Sequence, residues 1–398
     1  MYLLSIFWYN CNKVVIKMKI NLNNEIVKVE QSEIRKFNDY THSVGCNLYM
    51  TLGEPDFYTP DEISNEAIKG IKEHKTKYGP TLGFLNLREK ICEFEKKKNN
   101  VDYTPDEVII THGSTEALTS AFFTMLNPGD EVIIPTPAYP MYRQIVQYMK
   151  GKVVTLDTTK TNFQISTEEL KKCITNKTKC IILTSPNNPT GSVYDDETLE
   201  NIYTIVKNKP IFILCDDVYN QIIYNNTRPT FSKYQDIKDQ IIVCQSYSKS
   251  YAMPGWRCGY MLASKEFVSH ASKIHQYMIV ALNTFIQDAM IKALDYDPKP
   301  MVLEYKKRRD YIYDRLKAMG LDVIKPEGAF YIFPSIKKFG MSSLEFCQKL
   351  AIDYKLAVIP GGCFEADDYI RLSYCVSMDK IVEACNRLED FIKTLKTN

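Results

Sequence analysis

Short runs of apolar and β-branched residues recur along the middle of the chain, and longer amphipathic segments separate most of them. The runs are Val108–Thr111, Val132–Ile134, Val153–Leu156, Ile181–Thr184, Ile211–Cys215 and Ile241–Cys244. Near-continuous apolar strands that alternate with helices predict an α/β fold, in which helices cover both faces of a mostly parallel sheet. Ligands of such sheets bind beyond the carboxyl ends of the strands, so functional residues are expected where these runs end.

Helical patterns flank this region on both sides. Residues Glu62–His74 have apolar positions at helical spacing, and the Y-G-P-T-L-G sequence of Tyr78–Gly83 separates them from a second helix. After Asp295 the sequence D-P-K-P breaks the pattern, and a long charged helix, Leu303–Met319, follows. The break predicts a domain boundary near residue 295.

The first residues have a different character from the rest. Met1–Tyr9 is apolar but too short to span a bilayer, and no basic residue precedes it as a secretory signal requires. A polar start follows at Met18. We therefore expect residues 1–17 to be an extension outside the fold, with a membrane anchor as the alternative.

Composition narrows the class of protein. The 398 residues are 45% hydrophobic and 25% charged, which suits a globular protein with a large and a smaller domain. A net charge of +2 gives no reason to expect nucleic acid or a membrane as a partner. The twelve cysteines are scattered without a C-x-x-C motif, and several lie in apolar strands. They predict reduced thiols, a cytoplasmic location and no metal site.

Polar residues do follow the first two strands. Ser114 and Thr115 open a helix after Val108–Thr111, where free amides and hydroxyls form a cradle for an anion. The alternative is an ordinary N-cap. Tyr139 follows the next strand in a loop flanked by prolines, and it can stack on a planar ring or simply pack.

Polar residues also follow the two middle strands, Ile181–Thr184 and Ile211–Cys215. Asn188 lies in S-P-N-N-P-T-G, where an asparagine commonly makes a turn. Asp216 and Tyr219 lie three residues apart after Ile211–Cys215, and the alternative is a turn with a surface acid.

A lysine follows the last of these strands. The run Ile241–Cys244 opens into Ser246, Ser248 and Lys249, and Arg257 follows with a glycine two positions to either side. These glycines are expected to allow close approach to a ligand. An amine between hydroxyls and an arginine suits a Schiff base formed beside a bound phosphate. The alternative is a solvated surface lysine.

Taken together, these motifs resemble those of the class I/II aminotransferases of fold type I, which depend on pyridoxal phosphate (PLP). Gly-Ser-Thr, Asn-Pro-Thr-Gly, Asp-x-x-Tyr and Ser-x-Ser-Lys-x7-Arg occur in the order of that family from about Gln31 onward. Cys258 departs from it, since an aliphatic residue is usual there. The resemblance implies a large PLP-binding domain over 62–295 and a smaller α/β domain built from 18–61 and 296–398.

The resemblance also implies a role for each matching residue. Lys249 forms the Schiff base of a ping-pong mechanism, Asp216 pairs with the pyridine nitrogen, and Tyr219 and Asn188 bind the phenolic oxygen. Tyr139 stacks on the ring. The residues implied to hold the phosphate are Ser114, Thr115, Ser246 and Arg257, and Ser248 is implied to bind the cofactor. Tyr78 is implied to reach the phosphate from a neighbouring subunit, which predicts a homodimer.

Substrate binding is expected around Arg371 in I-R-L-S-Y. Its planar fork suits an α-carboxylate, with Asn188 beside it and Gly53 leaving space; the alternative is an ordinary salt-bridged arginine. The loop Phe364–Asp368 departs from the family because it is short and lacks a glycine.

In related enzymes, a segment of the second subunit contacts the side chain of the substrate, so its residues indicate which amino acid is preferred. Ile274–Ile291 contains no arginine or lysine, which argues against an acidic side chain. The apolar residues offered instead are Tyr277, Met278, Leu282 and Phe285, together with Ile34 and Tyr331. A neutral aromatic donor, or an N-acylated diamino acid, with 2-oxoglutarate as acceptor is predicted. The L-D-V-I-K-P-x-G-A-F-Y-I-F-P segment resembles the bacterial aminotransferase A group. Selection of acids by Arg35 is the alternative.

Three other classes compete with a transaminase. A PLP-dependent carbon-sulfur β-lyase shares the same cofactor motifs. A transcription regulator with an aminotransferase-like domain needs a DNA-binding module ahead of residue 30, and the extension is too short for one. A purely structural protein has no use for Lys249, Asp216 and Arg257 together.

Overall fold

A computed structural model describes residues 22–27, 29, 31–225 and 230–395. The expected extension, residues 1–17, lies outside the described residues. In the part of the chain that is described, no helix is long and apolar enough to cross a membrane.

The strands and helices alternate along the chain as the apolar pattern predicts. The strands are β1 (Leu48–Tyr49), β2 (Val108–Thr111), β3 (Glu131–Thr136), β4 (Lys152–Asp157), β5 (Thr178–Thr184), β6 (Phe212–Asp216), β7 (Ile241–Ser246), β8 (Gly259–Leu262), β9 (Tyr331–Ile332), β10 (Leu356–Ala357), β11 (Ile359–Pro360) and β12 (Ile370–Ser373). The helices are α1 (Asn24–Val27), α2 (Glu33–Ser43), α3 (Asp61–Lys72), α4 (Leu85–Asn99), α5 (Gly113–Met125), α6 (Met141–Tyr148), α7 (Thr167–Cys173), α8 (Asp196–Val206), α9 (Tyr247–Ser250), α10 (Lys265–Ile279), α11 (Gln287–Asp295), α12 (Lys299–Ala318), α13 (Ser343–Tyr354) and α14 (Met378–Thr394).

The central sheet has seven strands in the order β2-β8-β7-β6-β5-β3-β4. Its internal pairs are parallel except those of β8, which runs antiparallel to β2 and β7. The prediction of a mostly parallel sheet is confirmed. The sequence pattern missed β8 because Gly259–Leu262 is short and contains no β-branched residue.

Both faces of this sheet are buried. Ile133 and Ile181 belong to one apolar core, and the next residues along the same strands, Ile134 and Ile182, belong to a second core. Successive strand residues point to opposite faces, so helices cover the sheet on both sides.

A third apolar core joins the two ends of the described chain. Phe37, Leu48 and Met50 pack with residues of α12 and of the C-terminal strands. Leu48 pairs with Leu356 in a parallel bridge between β1 and β10. The core is consistent with a smaller α/β unit built from both ends, although the bounds at 61 and 295 stay predictions.

Helix α12 begins four residues before the predicted Leu303. The prolines of D-P-K-P do not exclude it, because Pro300 lies in its first turn, where no backbone N–H has a partner within the helix. Further along, Arg308 donates to both carboxylate oxygens of Asp56, at 2.8 and 2.9 Å. This ion pair fixes the loop that follows Gly53.

Candidate active site

A cavity of about 800 Å³ lies at the carboxyl edge of the sheet, between the sheet and the third core. Its walls include all the residues predicted to act in catalysis, to hold the cofactor or to bind the α-carboxylate, except Tyr78: Gly53, Ser114, Thr115, Tyr139, Asn188, Asp216, Tyr219, Ser246, Ser248, Lys249, Arg257 and Arg371. Tyr78 lies on the surface with 88% of its area exposed. Its contact with a neighbouring subunit stays a prediction.

One end of the cavity is built to hold an anion. Ser114 and Thr115, at the start of helix α5, line this end. Gly113, at φ +72°, lets Arg257 approach so closely that an added Cβ would lie 3.0 Å from its Nη2. Arg257 donates to the carbonyl of Pro254 at 2.9 Å and forms no ion pair with any described residue. The helix N-terminus and this cation together favour a phosphate.

Two hydroxyls complete the anion site. The side chains of Ser246 and Ser248 share a hydrogen bond of 2.9 Å at the end of β7. The glycines beside Arg257 act differently from the prediction. Gly255 faces open space, and a Cβ on Gly259 would meet the carbonyl oxygen of Gln245 at 2.5 Å. Gly259 thus permits close packing inside the sheet and does not approach a ligand.

Cys258 fills its family position as a small apolar residue. It is fully buried in the core beside the sheet. Burial raises the pKa of its thiol to about 12, so the side chain stays neutral and packs like the aliphatic residue it replaces.

Lys249 extends from the short helix α9 into the cavity. Its Nζ donates to the carbonyl oxygen of Gly53 at 2.6 Å. Burial lowers the pKa of this amine, and the charges of Arg257 and Arg371 lower it further. A lysine with a lowered pKa is more often neutral, which is the form that attacks a carbonyl carbon.

Asp216 is the last residue of β6 and is buried, so the alternative of a surface acid is wrong. Tyr142 donates to its Oδ2 at 2.5 Å, and the same hydroxyl pairs with Thr184 at 2.9 Å. Burial raises the pKa of Asp216 to about 6, against the lowering effect of the Tyr142 hydrogen bond. Its Oδ1 is buried without a partner among the described residues, which suits a cationic N–H donor.

Arg371 lies at the opposite side of the cavity and is 3% exposed. It donates to Asn188 Oδ1 at 2.9 Å and to the carbonyl oxygen of Thr51 at 2.6 Å, and it lies over the Tyr331 ring at 4.6 Å. No carboxylate of the described chain pairs with it, so the alternative of a salt-bridged arginine is wrong. A buried cation without an anion favours a carboxylate ligand.

The loop ahead of Arg371 turns without a glycine. Glu365 adopts φ +65° there, and the Phe364 ring lies 4.9 Å from the guanidinium. The departure of this loop from the family therefore leaves Arg371 fixed between two aromatic rings.

Gly53 lines the cavity together with Arg371, and the structure gives a further reason for the absence of a side chain there. A Cβ at this position would lie 2.2 Å from the hydroxyl of Tyr331, which in turn pairs with the Tyr219 hydroxyl at 2.7 Å. The missing side chain makes room for Tyr331, while the Gly53 carbonyl accepts the hydrogen bond from Lys249.

The expected specificity segment is only partly available to a ligand. Leu282 is buried in a core of its own chain and Phe285 packs against that core, so both are structural. Tyr277 and Met278 are exposed at the end of α10, and their part in substrate selection stays a prediction. Arg35, which the sequence left as an alternative, lines the cavity.

Several wall residues escaped the sequence analysis. Tyr142 follows a proline at the start of α6 and has no motif of its own, yet it makes the hydrogen bond to Asp216. Asn38 and Thr51 come from the N-terminal part of the chain, whose packing against the sheet no local pattern predicts. The one available signal for Tyr142 was its place three residues after Tyr139, where the two rings meet edge to face.

The donor set fits PLP. An unpartnered carboxylate oxygen, an anion site with an unpaired arginine, and a lysine with a lowered pKa surround one cavity. They match a pyridinium nitrogen, a phosphate and an aldehyde respectively.

The sequence is similar to known aminotransferases over most of its length. Residues 47–388 match the family described as aminotransferase class I and II. A probable N-acetyl-LL-diaminopimelate aminotransferase of Bacillus subtilis is 41% identical over 377 residues, covering 93% of this chain and 95% of that protein. The aromatic-amino-acid aminotransferase 2 of Thermococcus litoralis is 35% identical over 94% of this chain and 99% of its own length.

A solved structure also shows that the chain is similar to aminotransferases in its fold. The crystal structure of an aspartate aminotransferase from Thermotoga maritima superposes with a TM-score of 0.90 at 33% identity, covering 94% of this chain and 100% of that one. With the fold, the cavity and the sequence in agreement, the chain belongs to the class I and II aminotransferases, which depend on PLP.

Proposed function

We propose that this aminotransferase moves the amino group of a neutral aromatic L-amino acid, or of an N-acylated diamino acid, to 2-oxoglutarate. The observation that carries the proposal is the buried, unpaired guanidinium of Arg371 in the cavity that holds Lys249. An α-carboxylate bound there places the amino acid beside the reactive amine.

Each wall residue has a task in this reaction. PLP, when bound, supplies an aldehyde that takes the amino group and a ring that accepts electrons from a broken C–H bond. Asp216 would hold the ring nitrogen through its free Oδ1, and Arg257 would hold the phosphate. The amine of Lys249 would carry the proton between the substrate α-carbon and the cofactor.

The side-chain pocket supports an apolar substrate stem. Ile34, Leu118, Met141 and Tyr331 contribute apolar walls to the cavity. The names of the relatives cover an N-acetylated diamino acid, aromatic amino acids and aspartate. The apolar walls favour the first two classes because aspartate would bury its carboxylate among them.

We also propose a homodimer that shares its active sites. Tyr78 is 88% exposed and Tyr277 is 89% exposed, which is unusual for large aromatic side chains. A second copy of the chain that covers them would bring Tyr78 to the phosphate site. Light scattering during the assay should show a dimer, and an active monomer would contradict this part of the proposal.

Half-reaction spectra test the main proposal. Phenylalanine and an N-acetylated diamino acid should each convert the bound cofactor to its aminated form faster than aspartate does, and 2-oxoglutarate should reverse the change. Lys249→Ala, as the matched control, should not complete either half-reaction. A clear preference for aspartate, or no reversal by 2-oxoglutarate, would show the proposal wrong.

A further inference from the structure

A second cavity of about 680 Å³ adjoins the one that holds the catalytic lysine. The two cavities share wall residues, which are Ser32, Arg35, Tyr139 and Met141. Space therefore continues past the edge of the catalytic centre into this outer cavity. A substrate that fills both is longer than a common amino acid.

Arg35 of helix α2 lies where the two cavities meet. It is exposed and forms no hydrogen bond or ion pair with any described residue. The other charged side chains in the wall of the outer cavity are engaged elsewhere: Arg143 pairs with Glu365 at 2.6 Å, and Glu33 is hydrogen bonded to the thiol of Cys363. Arg35 thus offers a free guanidinium to an anion in the cavity.

Two side-chain amides accompany this cation. Asn38 lies one turn after Arg35 on the same face of α2 and lines the inner cavity, and Gln144 lines the outer one. The oxygens Asn38 Oδ1 and Gln144 Oε1 are buried without a donor among the described residues. Rotation of either amide presents an acceptor to a ligand N–H.

The Arg35 cation can bind a carboxylate, and the nearby amide oxygens can accept a hydrogen bond from an N–H. A ligand that offers both groups has a carboxylate and an acylated amine on the same carbon. We propose that Arg35, with Asn38, binds the distal end of a long dicarboxylic substrate, namely the carboxylate of an N-acylated diamino diacid and, in the second half-reaction, that of 2-oxoglutarate. The proposal rests on the proposed function and selects the N-acylated diacid over the aromatic donor. Arg371 would hold the α-carboxylate and Arg35 the other one.

The reach of Arg35 also separates this substrate from aspartate. The distal carboxylate of aspartate ends close to the α-carbon, among the apolar walls formed by Ile34, Met141 and Tyr331. It would lose its hydration there without meeting the cation. A flexible arginine at the mouth accommodates both a long diacid and the shorter 2-oxoglutarate.

A matched pair of donors tests the subsite. N-Acetylated 2,6-diaminoheptanedioate and Nε-acetyl-lysine have the same chain and amide and differ only in the distal carboxylate. The wild type should prefer the diacid by about 10- to 100-fold in kcat/KM, because only the diacid forms a hydrogen bond between a carboxylate and the Arg35 guanidinium. Arg35→Met should remove most of this preference through KM and leave kcat and the value for Nε-acetyl-lysine nearly unchanged.

Controls separate a local effect from a loss of fold. Arg35→Lys should retain part of the preference, and Lys36→Met should retain all of it, because Lys36 lines neither cavity. Heptanedioate, which cannot react, should inhibit the wild type more strongly than heptanoate and lose that advantage in Arg35→Met. Equal use of both donors by the wild type, or an equal loss on both in Arg35→Met, would overturn the subsite. Failure of every donor to aminate the cofactor would instead overturn the proposed function.

Discussion

Replacement of Asp216 by asparagine should stabilise the cofactor-free protein while it abolishes most activity. The carboxyl group is buried, and one of its oxygens has no partner among the described residues. Burial raises its pKa to about 6 from an ordinary 3.8. Asparagine keeps the shape and can pair with Tyr142, but it carries no charge that must be buried.

The gain follows from the linkage between proton binding and folding. The folded pKa lies above the unfolded one, so the cost of ionisation is absent at low pH and grows as pH rises through 3.8 to about 6. A tenfold difference in proton affinity is worth about 1.4 kcal/mol, so the cost approaches about 3 kcal/mol at pH 8 and is about half of that at pH 5. Burial and the nearby charge of Asp216 together raise the pKa of Asp217 to about 8. Removal of the Asp216 charge therefore makes ionisation of Asp217 less costly, which also stabilises the variant at high pH.

Urea unfolding of cofactor-free wild type and Asp216→Asn between pH 5 and pH 8 measures this difference. The variant should be more stable at pH 8 by up to about 3 kcal/mol, with a smaller margin at pH 5. With PLP bound the order should reverse, because only the carboxylate pairs with a protonated ring nitrogen. A variant that is no more stable than the wild type at pH 8, or a margin independent of pH, would refute the reasoning.

Three further substitutions test other contacts of the site. Arg371→Met should raise KM for the amino acid by about 100-fold with PLP affinity unchanged, since truncating a buried charge contact costs about 2–5 kcal/mol; steady-state kinetics check this, and an unaltered KM contradicts it. Tyr142→Phe should raise the pKa of Asp216 further and weaken PLP binding about tenfold in equilibrium dialysis, because a charge-assisted hydrogen bond is lost; equal affinity would exclude that role. Gly53→Ala should lower kcat/KM because the added methyl group meets the Tyr331 hydroxyl, and the double variant with Tyr331→Phe should recover part of it; no recovery would place the defect elsewhere.

The sequence predicted the sheet well because its strands are buried on both faces. Runs such as Ile181–Leu183 are apolar throughout, and their regular alternation with amphipathic segments is typical of a parallel sheet between helices. Strand β8 escaped because it lacks β-branched residues, and its position between β2 and β7 depends on pairing across about 150 residues. The start of α12 was predicted four residues too late, because Pro300 was taken to interrupt the helix. A proline is compatible with the first turn, where Pro300 lies.

The candidate site could be predicted where residues follow strands within a motif. Lys249 and Asp216 meet this condition, and the structure brings them to one cavity. Contacts between distant segments had no local signal, so the Tyr142 hydrogen bond to Asp216 and the places of Asn38 and Thr51 in the cavity wall were not predicted. Leu282 was misassigned because an apolar residue looks the same in the sequence whether it lines a pocket or packs in a core.

The pairing of Leu48 with Leu356 sets the order in which a newly made chain can assemble. The two residues are separated by about 300 positions, and synthesis at about 5–20 residues per second leaves the first waiting for roughly 15–60 seconds. During that time Phe37 and Met50 have no core to enter, while the strands from β2 to β8 can already pair. The nascent chain therefore exposes an apolar N-terminal segment to chaperones, and catalytic competence arrives only when the last part of the polypeptide closes over the sheet.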